Sequence, residues 1–136
     1  MEHELSGEVS IVDESHIVTV RKTIRDLATQ LGFGITDVTR IVTAASELAR
    51  NVFHYAGTGT MRWTLIETID KIGIQIVFED HGPGIPDLNL ALEPGYSTSG
   101  GLGMGLPGTR RLMDEMDIQS KVGAGTIVTV KKWRRK

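Results

Sequence analysis

Four short stretches carry residue types that could do chemistry. In SELARN (residues 46–51) a glutamate and an asparagine stand four apart inside an otherwise apolar segment. A carboxylate at the edge of a core is costly unless it is paired, solvated in a cleft or put to use. Glu47 and Asn51 are therefore either a solvated flank, with the asparagine bonding a neighbouring loop, or a functional pair. In EDHGPGIP (79–86) Asp80 stands at a strand end, where a buried carboxylate can accept a hydrogen bond from an exocyclic amine such as that of adenine. Gly82 and Gly84 let backbone approach a flat ring without a Cβ in the way. Pro83 and Pro86 stiffen the turn, and Ile85 already lies in loop. Taken alone, the same residues also make a glycine-proline turn leaving a strand.

STSGGLGMGLPG (97–108) offers a third opportunity. Backbone N–H groups of a glycine-rich loop running into a helix amino terminus form a cradle for polyphosphate, because the unpaired amides and the helix dipole both favour anions. Gly103, Gly105 and Gly108 spell GxGxxG. No strand leads directly into that motif and hairpin strands follow it, which argues against a parallel dinucleotide-binding unit. No Gly-Lys-Ser or Gly-Lys-Thr marks a Walker loop. The fourth stretch, GAGT (123–126), is explained by a hairpin turn, and only Thr126, whose hydroxyl can reach a base edge, hints at more.

The elements that must position these residues follow from periodicity. GEVSIV (7–12) alternates with period two and predicts a strand. Asp13 or Ser15 then caps a helix on which Ile17, Val20, Ile24, Leu27 and Leu31 recur, ending at Gly32. A second helix opens at Thr36 or Asp37, buries Ile41, Ala45, Leu48 and Val52, and stops near Tyr55. At about 100° per residue, Glu47 and Asn51 fall together on one flank of that stripe, at the edge of the core. Strands are predicted at about 60–69 and 72–79 around a turn at Asp70 and Lys71, with Ile72, Ile74, Ile76 and Phe78 on one face. After a loop from Asp80 to about Gly103, a third helix runs to about Glu115, and a hairpin of strands near 117–122 and 126–133 completes the chain. Strands and helices do not alternate, so the expected class is α+β: a two-layer sandwich in which a mixed, mostly antiparallel sheet carries three main helices on one face.

Composition bounds the function. At 136 residues the chain is expected to form a single domain, residues 1–136. It has no cysteine, which excludes thiolate metal sites and cysteine nucleophiles and fits a reducing compartment. No apolar run spans a bilayer and no basic-then-apolar leader opens the chain, so a cytoplasmic protein without a membrane partner is expected. The formal net charge of −2 gives no general attraction to nucleic acid. The one basic concentration, KKWRRK (131–136), reads as a solvated tail after the last strand.

Taken in order, Glu47-x-x-x-Asn51 on a helix, Asp80-x-Gly82-x-Gly84 after a strand, a glycine-rich lid before a helix and Gly123-x-Gly125-Thr126 in the last hairpin resemble the Bergerat (GHKL) ATP-binding fold of gyrase, heat-shock chaperones of the ninety-kilodalton class, MutL and histidine kinases. Within it, QLGFG, SELARN, DHGPGIPD, GYSTSGGLGMGLPG and RRLMDE are similar to the small serine/threonine kinases of bacterial partner-switching systems, including the stressosome, over about residues 7–133. The anti-sigma kinases of the same group are the next nearest. The resemblance implies ATP and Mg²⁺ as cofactors. It makes Glu47 the general base on the acceptor hydroxyl, or the group that orients it, and Asn51 a Mg²⁺ ligand. Asp80 would specify adenine, with Gly82, Gly84 and Ile85 beside the base and Thr126 completing its pocket. Ser99, Gly100, Gly101, Leu102, Gly103, Met104, Gly105 and Leu106 would form the lid over the phosphates. No basic residue lies between Pro94 and Gly108, leaving charge neutralisation to Mg²⁺, the helix terminus, and Arg110 or Arg111 as candidates. Arg50 and His54 flank the Glu-Asn pair and read as surface residues.

The same resemblance narrows the activity. None of His3, His16, His54 or His81 sits on a dimerisation helix of the kind a histidine kinase phosphorylates, and transducer domains of gyrase or chaperone type are not expected. The acceptor is then a serine or threonine presented in trans, on STAS-domain proteins of the RsbS and RsbR type, with a regulatory phosphatase of the RsbU type as second partner. Two other readings stand beside this one. The first is an anti-sigma-like module that holds nucleotide as a conformational ligand and sequesters a partner without phosphoryl transfer. The second is a glycine-rich α+β domain with no nucleotide.

Overall fold

The computed structural model describes residues 5–85 and 105–136. In chain order these form β1 (Ser6–Ile11), α1 (Ser15–Gln30), α2 (Ile35–Ala56), β2 (Gly59–Glu67), β3 (Lys71–Asp80), α3 (Gly105–Leu112), β4 (Glu115–Lys121) and β5 (Gly125–Arg135). The strands make one five-stranded sheet in the order β1-β2-β3-β5-β4, and every pair is antiparallel. The α+β class holds, and the parallel pairing that a mixed sheet would include is not found among the described residues. An antiparallel ladder also rules out the dinucleotide-binding reading of GxGxxG on topological grounds.

Helix α1 begins where Asp13 Oδ1 accepts the Ser15 N–H at 2.8 Å. It ends as the sequence predicts, at Gly32, whose φ of 85° is the left-handed conformation. There Phe33 N–H donates to Ala28 O and Gly32 N–H to Thr29 O, the paired bonds of a Schellman cap. Helix α2 is the central element, packed against α1, α3 and four strands of the sheet. Its predicted stripe of Ile41, Ala45, Leu48 and Val52 is buried. Residues 44–49 are buried without interruption, because α1 covers one flank of the helix and α3 another.

Three boundaries differ from the periodicity reading. The β2–β3 turn occupies residues 68–70, since Lys71 already pairs back to Thr68, whose N–H donates to Lys71 O at 2.9 Å. Helix α3 stops at Leu112 instead of near Glu115, because the Asp114 N–H donates to Lys131 O at 2.9 Å and so enters the sheet. KKWRRK is not a solvated tail: residues up to Arg135 belong to β5, and Lys132 is only 7% exposed. Period-two alternation aims Lys132 and Arg134 at the helix layer. Lys132 Nζ donates to Leu112 O at 2.9 Å and stands 3.4 Å from Asp114, while Arg134 Nε donates to Leu31 O. Two helix carboxyl termini, where carbonyls lack partners and the dipole is negative, are thus closed by cations from one strand.

Candidate active site

Glu47 lies deeper than the core edge that helical spacing predicts. It is 6% exposed, with Ser46 beside it also buried. Arg50 Nη1 donates to Glu47 Oε1 at 2.8 Å, and Glu47 Oε2 is buried with no hydrogen-bond partner among the described residues. Leaving a buried acceptor unmade costs about 1–3 kcal/mol, and more for a charged group. A fold keeps such an atom where something else supplies the donor. Asn51, one turn on, is half-buried.

From Glu47 the helix leads toward the end of β3. A Cβ on Gly59 would stand 2.5 Å from Val52 Cγ1, and a Cβ on Gly82 would stand 2.7 Å from the Ala56 Cβ. The last two turns of α2 therefore lie against the start of β2 and the loop after β3. At 1.5 Å of rise per residue, Glu47 and Ala56 are about 13 Å apart along the helix axis, a span on the scale of an extended nucleoside triphosphate.

At the β3 end, Asp80 Oδ1 accepts the Gly82 N–H at 2.9 Å. Asp80 pairs in register with Thr126 on β5, and Thr126 Oγ1 is 2.8 Å from Ser120 Oγ on β4. Ser120 Oγ also accepts the Ile85 N–H at 2.7 Å and donates to Gly125 O at 3.2 Å. One hydroxyl thus ties the loop after β3 to the last hairpin. Spacing could not reveal Ser120, because a serine in an alternating strand carries no signal of its partners. Two glycines at this joint are also required by the packing of backbone on backbone. Gly84 has φ of 79° and a Cβ there would meet Lys121 O at 2.4 Å, while Gly125 has φ of 118° and a Cβ would meet Asp80 O at 2.1 Å. Both let backbone segments touch one another.

The structure brings Glu47 and Asn51 together on α2, and Asp80, Gly82, Gly84, Ile85 and Thr126 together at the joint of β3 with the β4–β5 hairpin. Gly105 and Leu106 open α3, where Gly105 O accepts the buried Thr109 hydroxyl at 3.1 Å. Ser99, Gly100, Gly101, Leu102, Gly103 and Met104 lie outside the described residues. Arg110 and Arg111 are exposed on α3, and Arg50 is no mere surface residue but the partner of Glu47. No group of three or more histidine, aspartate or glutamate side chains able to hold a metal occurs among the described residues, and none of their helices is long and apolar enough to cross a membrane.

The family described as the histidine kinase-like ATPase domain matches residues 12–132. The chain belongs to that family. ATP binding goes with the family and agrees with the arrangement of α2 and β3. Among relatives, the serine/threonine-protein kinase RsbT of Bacillus subtilis (strain 168) is 50% identical over 127 residues, covering 93% of this chain and 96% of its own. An anti-sigma F factor of Caldanaerobacter subterraneus subsp. tengcongensis is 30% identical over 98% of this chain and 96% of its own. A solved structure of the RsbU and RsbW domains of Rv1364c from Mycobacterium tuberculosis has the same fold, with a TM-score of 0.62 at 18% identity over 95% of this chain and 32% of that one.

Proposed function

We propose that this protein, working as a single domain over residues 1–136 in the cytoplasm, is a Mg-ATP-dependent protein serine/threonine kinase. It phosphorylates STAS-domain partners of the RsbS and RsbR type and switches to a phosphatase of the RsbU type as its other partner. The observation that carries the proposal is Glu47: a buried carboxylate with one oxygen left without a hydrogen-bond partner among the described residues, one turn before Asn51, on the helix that leads to Asp80. The 50% identity to a serine/threonine-protein kinase supports the choice of reaction.

In this reading Asp80 accepts from the exocyclic amine of adenine through the oxygen that Gly82 does not use. Thr126, held by Ser120, completes the base pocket. The triphosphate runs back along α2, with Gly105, Leu106 and the lid residues 99–104 over it. Asn51 suits Mg²⁺, since a carboxamide oxygen is a hard ligand and the ion fills its remaining positions with phosphate oxygens and water. When bound, Mg²⁺ neutralises charge on the β- and γ-phosphates. Glu47 orients the acceptor hydroxyl through Oε2 and takes its proton, one helical turn from the group that holds the phosphate end.

Incubation with γ-labelled ATP and a purified STAS-domain acceptor tests the proposal. Label is expected on a serine or threonine, and Glu47→Ala is expected to slow transfer by about 10²–10⁴-fold while Mg-ADP affinity is kept. The anti-sigma F factor relatives favour a second reading, a sequestering module. It predicts instead that Glu47→Ala leaves partner release unchanged. Wild-type protein that binds ATP and acceptor yet transfers no label would overturn the kinase reading.

A further inference from the structure

We infer that Arg50 is a positioning residue for phosphoryl transfer: its guanidinium holds Glu47 by Oε1 so that Oε2 alone faces the acceptor hydroxyl. This rests on the kinase reading and goes beyond it. Three observations carry it. The contact is one-pronged, with Nη1 at 2.8 Å from Oε1, although guanidinium and carboxylate commonly pair through two bonds. The other oxygen is buried and has no hydrogen-bond partner among the described residues, so the fold leaves one acceptor of the carboxylate unsatisfied. The burial is also unequal. The Glu47 side chain is 8% exposed and that of Arg50 is 38%, so the base sits out of bulk water while its counter-ion reaches solvent.

An exposed i,i+3 ion pair would contribute little and would have no stake in where the carboxylate points. Here Arg50 is the charged group hydrogen-bonded to Glu47 among the described residues. Arg21 and Arg25 of α1 line the same cleft, of about 360 Å³, which Ser46, Glu47 and Arg50 line from α2. The cleft gives an incoming side chain room to approach the pair. In the step itself the acceptor O–H passes its proton to Glu47 Oε2 as its oxygen bonds the γ-phosphorus. The bond from phosphorus to the ADP oxygen breaks, ADP leaves with the electron pair, and Glu47 later yields the proton to water. Arg50 keeps Oε1 occupied throughout, so the carboxylate cannot rotate its open oxygen away.

The test uses the full chain, γ-labelled ATP and an RsbS-type STAS acceptor. Arg50→Met is expected to lower kcat by about ten- to a hundredfold, with KM for ATP and Kd for Mg-ADP within about twofold of wild type. Arg50→Lys is expected to restore most of the rate. In a Glu47→Ala background Arg50→Met is expected to cause no further loss, because its only route is through that carboxylate. Unchanged kcat in Arg50→Met, a loss of Mg-ADP affinity in step with rate, or a further loss in the Glu47→Ala background would each overturn the inference. Should Arg50→Met fail to fold, Arg50→Gln is judged by the same criteria, with Arg50→Lys still expected to keep most of the rate. Absence of transfer by the wild type defeats the kinase reading itself, whereas wild-type transfer with an indifferent Arg50→Met defeats only this inference.

Discussion

The role proposed for Asp80 divides its two oxygens, which makes that role separable from folding. Oδ1 accepts the Gly82 N–H, and in the proposed role the other oxygen meets the base. Asp80→Asn retains a carbonyl oxygen for Gly82 but turns an amide donor toward the amine of adenine, so two donors would face each other. Mg-ADP affinity is expected to fall by about ten- to a hundredfold, roughly 1.4–2.7 kcal/mol, as read by calorimetry, with the unliganded melting temperature little changed. Helical angles alone place Glu47 and Asn51 on one flank. They cannot give the depth of Glu47, because depth depends on α1 and α3 packing on either side of α2. Arg50 looks like a surface residue for the same reason, since a wheel records direction and not which neighbour is reached. Ser120 is legible only once β4 and β5 are paired.

Elements are where the basic end of the sequence misleads and where the fold explains it. A run of lysine and arginine after a strand pattern reads as solvated, yet alternation aims every second cation inward, to the carboxyl termini of α3 and α1. Lys132→Met would leave the Leu112 carbonyl unpartnered and Asp114 without its close cation. It is expected to cost about 1–3 kcal/mol in urea denaturation, whereas substituting exposed Arg135 should cost little. At the amino terminus of α1 the sequence names Asp13 or Ser15 as cap; the N-cap is Glu14, without a side-chain cap bond, and Asp13 instead binds Ser15 just before the helix. Donation from the Ser15 side chain and N–H holds the Asp13 carboxyl below its ordinary value of 3.8. A depressed folded value means that the contribution is present above the unfolded value and fades as pH falls through the folded one. Titration followed by NMR should place the Asp13 midpoint below 3.8, and Asp13→Asn should remove that part of the acid dependence of stability.

For the whole molecule, the link between α2 and the β3–hairpin joint makes nucleotide binding a property of the folded chain. Glu47 and Asp80 lie 33 positions apart in sequence, and the packing of α2 on the sheet, with Val52 against Gly59 and Ala56 against Gly82, brings their elements into one surface. An unfolded chain has no such surface and gains nothing from ligand. Mg-ADP at about a hundred times its Kd should then stabilise the protein by about 2.7 kcal/mol. An unfolding entropy of about 2.1 cal/mol/K per residue over this length turns that into a rise of about 9 °C in melting temperature. A hundredfold loss of affinity in Asp80→Asn brings the same ligand concentration down to about one Kd, where the shift shrinks to between 1 and 2 °C, roughly. Glu47→Ala should keep the full shift, because in the proposed role its carboxylate meets the acceptor and not the base. Scanning calorimetry of the three chains at one ligand concentration separates these outcomes. Equal shifts in wild type and Asp80→Asn would remove Asp80 from the nucleotide site, and no shift in any of them would remove the nucleotide.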